Sequence, residues 1–303
     1  VLKYEELKAK DLAREAIALE PSKTLYDTRN ILLRYNISRV VIAKDNKPLG
    51  IITEKDIARF LYKEVPNKRL NEITLNEIMN KDLITVEEQT NLNICERMML
   101  ENKISSIIVV DNRDLKGIFT KSDLVDAYAR HYPRKLKVEQ YMTKKVITVA
   151  PDENLHMILL LMSDNQISRV TVTRDDKLIG IITGHDVLPV SILFGTGTPS
   201  MFWITQEELI ARRRAHRFIP AGINDVFLAK DIMKYDPVTI TKGSDLVEAA
   251  QIMRNNRISG LPVVENDSID GGLVGIITKT DIVKAMRHKP NNAKAGERIE
   301  IVY

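Results

Sequence analysis

Gly50-Ile51-Ile52-Thr53-Glu54-Lys55-Asp56 leaves an apolar run and enters a helical pattern, and the chain writes the same phrase three more times. The copies are Gly117-Ile118-Phe119-Thr120-Lys121-Ser122-Asp123, Gly180-Ile181-Ile182-Thr183-Gly184-His185-Asp186 and Gly275-Ile276-Ile277-Thr278-Lys279-Thr280-Asp281. A single G-x-x-T-x-x-D carries little weight; four in one chain describe a duplicated unit, which has to be read first. Each phrase brings a hydroxyl and a carboxylate to a helix start.

The self-similarity extends outward from the phrase. An Ile-Ser pair precedes each glycine: Ile37-Ser38, Ile104-Ser105, Ile167-Ser168 and Ile258-Ser259. Further upstream stand Leu25, Leu92, Leu155 and Leu246, each at the same distance from its isoleucine. Three units open on a methionine after an apolar residue (Met79, Met142, Met233), and the first has Leu12-Ala13 there. Apolar residues at helical spacing, such as Leu155, Ile158, Leu159 and Met162, predict a helix. Asn102, Asn165 and Asn256 then suit a left-handed C-cap. Two short strands follow across a turn such as Asp175-Asp176-Lys177. The unit thus reads strand, helix, strand, strand, helix over about 60 residues, a mixed α/β fold. One such unit buries little core, so units should pair.

On the capping reading, Thr and Asp three residues apart satisfy first-turn N–H groups and need no ligand. On the binding reading, free N–H groups and the helix dipole suit phosphate. The carboxylate then accepts ribose hydroxyls, as acidic residues do in dinucleotide folds. The glycine would let backbone approach the ligand. Residue physics leaves both readings open.

These four phrases, the Ile-Ser pairs and the unit order resemble the cystathionine beta-synthase (CBS) domain family of adenine-nucleotide-sensing modules. The resemblance covers nearly the whole chain, and the four-repeat layout is similar to the gamma subunit of AMP-activated kinase and its archaeal relatives. It implies two pseudo-dimeric pairs of repeats packed in a disc. It also implies ribose on Asp56, Asp123, Asp186 and Asp281, and phosphate on Thr53, Thr120, Thr183 and Thr278. Basic residues after Ile-Ser face the centre of a pair in such proteins, which points to Arg39 and Arg169; repeats two and four have Ser106 and Gly260 there. The residue before each Asp is Lys55, Ser122, His185 or Thr280, and Lys55, Ser122 and Thr280 suit phosphate. Thr74 matches a ligand-contacting Thr of the kinase-like relatives, where the other repeats have Lys8, Lys137 and Leu228. Adenine is expected near Ile84, Ile147 and Val238.

The expected function is a non-catalytic regulatory sensor of AMP, ADP, ATP or a related adenosine ligand, passing its signal to a protein partner. A diadenosine polyphosphate spanning the two sites of a pair is a further geometric option, and a homodimer another. The alternatives are a nucleotide-metabolising enzyme or a nucleic-acid-binding regulator. Against the enzyme stands the lack of a nucleophile–base pair, metal cluster or P-loop motif in the sequence. A net charge of +4 is too small to argue for nucleic acid. The histidines at 131, 156, 185, 216 and 288 show no metal-ligand spacing. Lone Cys95, on an apolar helix face, reads as a small core residue and fits a reducing cytoplasm. No secretory signal and no run of 18 apolar residues is legible, so no membrane span and a cytoplasmic location are expected.

The expected divisions are repeats at 1–70, 71–133 and 134–194, an insert at 195–226, and the fourth repeat with a tail at 227–303. The insert shows in the glycine spacing, which is 67, 63 and then 95 residues. It opens Gly195-Thr196-Gly197-Thr198-Pro199, a loop composition. It continues through the capping box Thr205-Gln206-Glu207-Glu208 into a basic helix ending Arg212-Arg213-Arg214-Ala215-His216-Arg217. That helix reads as a solvated end, a lid on the phosphate side or a docking surface, and Trp203 as an anchor.

Overall fold

A computed structural model describes residues 4–63, 69–132, 134–187, 227–266 and 272–287. The insert, with Trp203 and the basic run 212–217, lies outside the described residues.

The four units recur as expected, each with a short helix ahead of the strand–helix–strand–strand–helix body. Repeat one comprises α1 (Ala9–Leu12), β1 (Ala18–Leu19), α2 (Leu25–Tyr35), β2 (Arg39–Lys44), β3 (Lys47–Thr53) and α3 (Glu54–Lys63). Repeat two comprises α4 (Leu75–Ile78), β4 (Thr85–Glu87), α5 (Leu92–Glu101), β5 (Ser106–Asp111), β6 (Asp114–Thr120) and α6 (Lys121–His131). Repeat three has α7 (Val138–Tyr141), β7 (Thr148–Val149), α8 (Leu155–Asp164), β8 (Arg169–Arg174), β9 (Lys177–Thr183) and α9 (Gly184–Val187). Repeat four has α10 (Ala229–Ile232), β10 (Lys234–Tyr235), β11 (Ile240–Thr241), α11 (Leu246–Asn255), β12 (Gly260–Val264), β13 (Leu273–Thr278) and α12 (Lys279–Arg287).

Each sheet joins a parallel first pair to an antiparallel hairpin, as in β1-β2-β3. The hairpins of the first three repeats turn on two left-handed residues: Asp45-Asn46, Asn112-Arg113 and Asp175-Asp176. Asn and Asp tolerate that region, and two such residues match the strand twist. The expected C-caps need correction. Asn102, Asn165 and Asn256 have φ near −90°, and the left-handed residue is the next one, Lys103, Gln166 or Arg257. Each Asn instead donates its side-chain amide to the carbonyl four residues back, at 2.9–3.0 Å. Only Asn36 of repeat one takes the left-handed position itself.

The opening segments are exchanged within pairs. Lys8 bridges to Asn91 and Arg14 to Ile118, so the start of repeat one lies on repeat two. Thr74 bridges to Thr24 and Asn80 to Ile51, so the start of repeat two lies on repeat one. Repeats three and four do the same through Lys137–Asp245, Thr143–Ile276 and Asn154–Leu228, and β10 extends the sheet of repeat three. The signature glycine is explained here. A Cβ on Gly50 would meet Met79 Sδ at 2.5 Å; on Gly180, Met233 Sδ at 2.4 Å; on Gly275, Met142 Sδ at 2.7 Å. At Gly117, the Arg14 carbonyl oxygen stands at 2.6 Å. Each glycine admits the opening segment of its neighbour, which gives it a packing role.

The pairs then face each other. Helix α6 packs on α11 and α12, and α3 on α8 and α9. Repeat two therefore meets repeat four, and repeat one meets repeat three. One core runs through the first contact, with Phe119, Leu124 and Tyr128 beside Leu246, Met253 and Ile282. Cys95 sits in it fully buried, its thiol pushed up to about 11 by burial.

Candidate functional site at the meeting of four helix starts

In every repeat the residue after Ile-Ser lies directly across the hairpin from the signature threonine: Arg39 from Thr53, Ser106 from Thr120, Arg169 from Thr183, Gly260 from Thr278. This register carries the central side chains to the helix starts. The carboxylates there are capped. Asp56 Oδ2 accepts from Thr53 N at 3.0 Å and Thr53 Oγ1 at 2.7 Å, and Asp123 does the same from Thr120 at 2.8 and 2.9 Å. Asp186 accepts from Thr183 at 2.8 and 2.6 Å, and Asp281 from Thr278 at 2.9 and 2.6 Å. The capping box therefore uses one carboxylate oxygen in all four repeats. The first helical N–H is also engaged, donating to the carbonyl of Ser38, Ser105, Ser168 or Ser259.

The other carboxylate oxygen is treated differently from site to site. Arg14 Nη2 lies 2.7 Å from Asp123 Oδ1, and Lys234 Nζ 3.3 Å from Asp186 Oδ1. Both cations arrive on the exchanged segment of the partner repeat. Asn80 and Thr143 hold the equivalent places opposite repeats one and four, and carry no charge. Asp281 Oδ1 meets Lys284 of its own helix at 3.2 Å.

Each pair has one central arginine. Arg39 donates to Ser38 Oγ at 2.8 Å and to Ser105 Oγ at 3.0 Å, spanning repeats one and two. Arg169 donates to Ser168 Oγ at 3.1 Å and Ser259 Oγ at 2.8 Å, spanning three and four. A Cβ on Gly260 would meet Arg169 Nη1 at 1.8 Å, so the missing side chain is the space the guanidinium occupies. Both arginines keep some solvent contact, yet enclosure by protein lowers their pKa, Arg169 to about 10.

Across the pairs, repeats two and four exchange lysines. Lys121 Nζ donates to Thr280 Oγ1 at 3.0 Å, and Lys279 Nζ to Ser122 Oγ at 2.7 Å. Desolvation lowers both lysines to about 8; Arg169 and Arg39 add to the effect on Lys279, and Lys284 and Arg39 on Lys121. Repeats one and three exchange other groups. Glu54 Oε1 lies 2.7 Å from His185 Nδ1, and Lys55 Nζ donates to Gln166 O at 3.0 Å. Burial raises the Glu54 carboxyl, and His185 works against that shift.

The residues expected at the adenine are engaged in local structure. Thr74 caps α4, its N and Oγ1 each 3.0 Å from Glu77 Oε1. Ile84 and Ile147 are half-buried and give their carbonyls to Ile108 and Thr171, and Val238 is exposed. Sequence reading passed over Glu54, Lys121 and Lys279, although each is a letter of the signature, and over Arg14 and Lys234. The signal was variation between otherwise equal copies.

The chain belongs to the CBS domain family, whose profile matches residues 9–63, 75–130, 138–192 and 229–288. It is 28% identical over 289 residues to MJ1225 of Methanocaldococcus jannaschii, covering 89% of this chain and 95% of that protein. The crystal structure of MJ1225, described as a proposed archaeal homolog of g-AMPK, superimposes with a TM-score of 0.76 at 24% identity, covering 92% of this chain and 100% of that one. A conserved protein of Pyrococcus horikoshii shares the fold at a TM-score of 0.59 and 20% identity, over 92% of this chain and 100% of that one. An inosine-5'-monophosphate dehydrogenase of Thermoplasma acidophilum is 24% identical over 238 residues, which are 74% of this chain and 42% of that enzyme. Among the described residues no helix is long and apolar enough to cross a membrane.

Proposed function

We propose that this chain is a non-catalytic sensor of adenine nucleotides that passes its ligand state to a protein partner in the cytoplasm. Ribose hydroxyls lie on Asp56, Asp123, Asp186 and Asp281 in this reading, and phosphates point inward. The carrying observation is the convergence of Arg39, Arg169, Lys121 and Lys279, one from each repeat, on the place where four helix starts meet. Cations held close together in protein are stabilised by an incoming anion, and guanidinium matches phosphate well. Thr53, Thr120, Thr183, Thr278, Lys55, Ser122 and Thr280 complete the phosphate side. Thr74, Ile84, Ile147 and Val238 complete the adenine side.

AMP, ADP or ATP should therefore raise the melting temperature. A ligand at 100 times its Kd adds ~2.7 kcal/mol per site if it binds only the folded chain. Melting curves with millimolar nucleotide, and mass spectrometry of ligand carried through purification, check this. No shift with any adenosine ligand overturns the reading.

The enzyme alternative has one feature in its favour. Lys279, lowered to about 8, lies 2.7 Å from Ser122 Oγ, within the reach of a base from a nucleophile. Product analysis of the same titrations separates the two readings, and intact nucleotide after prolonged incubation supports sensing.

The cations on Asp123 and Asp186 lead to a second expectation. Arg14 and Lys234 are exposed, so each pair is worth ~0.2–1 kcal/mol. Arg14→Ala and Lys234→Ala should then strengthen adenosine binding at their sites by at most about fivefold. Titration calorimetry checks this, and a loss of affinity would show that these cations hold the ligand.

A further inference from the structure

The position after the signature threonine divides the centre by charge. At the contact of repeats two and four it holds Lys121 and Lys279, each reaching the other's helix start. At the contact of repeats one and three it holds Glu54 and Gly184. Glu54 crosses to His185, and its Cβ lies 3.8 Å from the Cβ that Gly184 lacks. The Glu54 side chain is 16% exposed, so little water screens it. The same place in the repeat thus presents two cations on one side and a carboxylate on the other.

The groups around Glu54 only partly offset this difference. His185 Nδ1 is its hydrogen-bond partner, Asp186 adds negative charge nearby, and Arg39 favours the Glu54 carboxylate through space while its guanidinium donates to Ser38 and Ser105. Lys55 is turned to the Gln166 carbonyl. A phosphate chain entering from Asp56 or Asp186 would meet Glu54, and like charges in a poorly screened site repel strongly.

We propose that Glu54 is a specificity residue. The sites at Asp123 and Asp281 take ligands with phosphate chains, and those at Asp56 and Asp186 take adenosine ligands whose 5′ substituent is uncharged or cationic. This narrows the proposed function: it rests on its reading of the carboxylates as ribose acceptors, and it withdraws phosphate from Thr53, Lys55 and Thr183, which would face a 5′ substituent without phosphate. The discriminating element is repulsive, as specificity between similar ligands often requires.

Calorimetric titration of the full chain tests this with adenosine, S-adenosylmethionine, AMP and ATP. ATP is expected to saturate two sites, and adenosine or S-adenosylmethionine to bind further to the ATP-saturated chain. Glu54→Gln removes the charge and nearly keeps the shape. It should improve ATP binding at the remaining sites by about tenfold or more while moving adenosine by less than about twofold, the signature of a removed charge clash. ATP filling all four wild-type sites overturns the proposal, as does an equal change for every ligand in Glu54→Gln. The wild-type competition stands even if the variant folds poorly: no added binding after ATP sinks the proposal. If no adenosine ligand binds the wild-type chain, the sensing function itself fails; binding without the split removes only the role of Glu54.

Discussion

Lys121→Met should make the ligand-free chain more stable at pH 7 while weakening ligands that carry phosphate. Lys121 is 8% exposed, and burial brings its pKa from 10.5 to about 8. Between those values the unfolded chain binds more protons than the folded one, so stability rises with pH through that window. Below pH 8 the buried ammonium costs the folded state about 3 kcal/mol. Methionine keeps the apolar stem and removes the charge. The lost bond to Thr280 offsets ~1 kcal/mol of the gain. Melting at pH 7 and pH 10 checks the stability half: wild type should gain on going to pH 10, and the variant should gain less, keeping only the share of Lys279. Titration with ATP and adenosine checks the other half, with loss confined to ATP. A variant that melts lower at pH 7 would mean that the protonated lysine is already well compensated.

The second large effect lies in the core shared by repeats two and four. Glu96 is 3% exposed and accepts a bond from Tyr4 Oη, whose ring packs edge-on against Tyr132 at 5.2 Å. Burial raises its carboxyl from 4.5 to about 7, against the pull of Tyr4 and Arg287. The folded chain therefore holds a proton that the unfolded chain has released. The contribution is fully present below pH 4.5 and is lost as pH rises through about 7. Above that, the buried carboxylate costs about 3 kcal/mol. Glu96→Gln should recover most of this at pH 8 and change little near pH 4.5. Denaturant unfolding of both chains across pH 4.5–8 checks it; a gain independent of pH would contradict the titration of Glu96. Together with Lys121, it gives a stability minimum between pH 7 and 8.

The repeat itself was legible because folding constraints are the same in each copy. The interval from Ile-Ser to glycine leaves room for two strands and a two-residue turn, and that interval puts Arg39 opposite Thr53. The opening methionines and the signature glycines were both visible, but their meeting was not, since they touch across the pair: Met79 on Gly50, Met233 on Gly180, Met142 on Gly275. The cross-pair contacts were hidden for a different reason. No periodicity records which repeat faces which, so Lys121 could not be matched with Thr280 or Glu54 with His185. Comparing copies draws the eye to what they share, whereas the charges that distinguish the sites sit at a letter that changes.

The exchanged opening segments also constrain how this chain is made and how it can evolve. As synthesis proceeds, the body of repeat one emerges with an uncovered edge and has to wait for Leu75 and Met79 before it closes. Repeat two finds Leu7 and Ala9 already made. Repeat three stays open until Ala229 and Met233 arrive, well after its own strands have left the ribosome. A gene break between the two members of a pair would thus strip each of its lid and expose apolar edges to aggregation. The smallest piece of this protein that keeps its own opening segments is two repeats long, and even that piece would uncover the core that repeats two and four share.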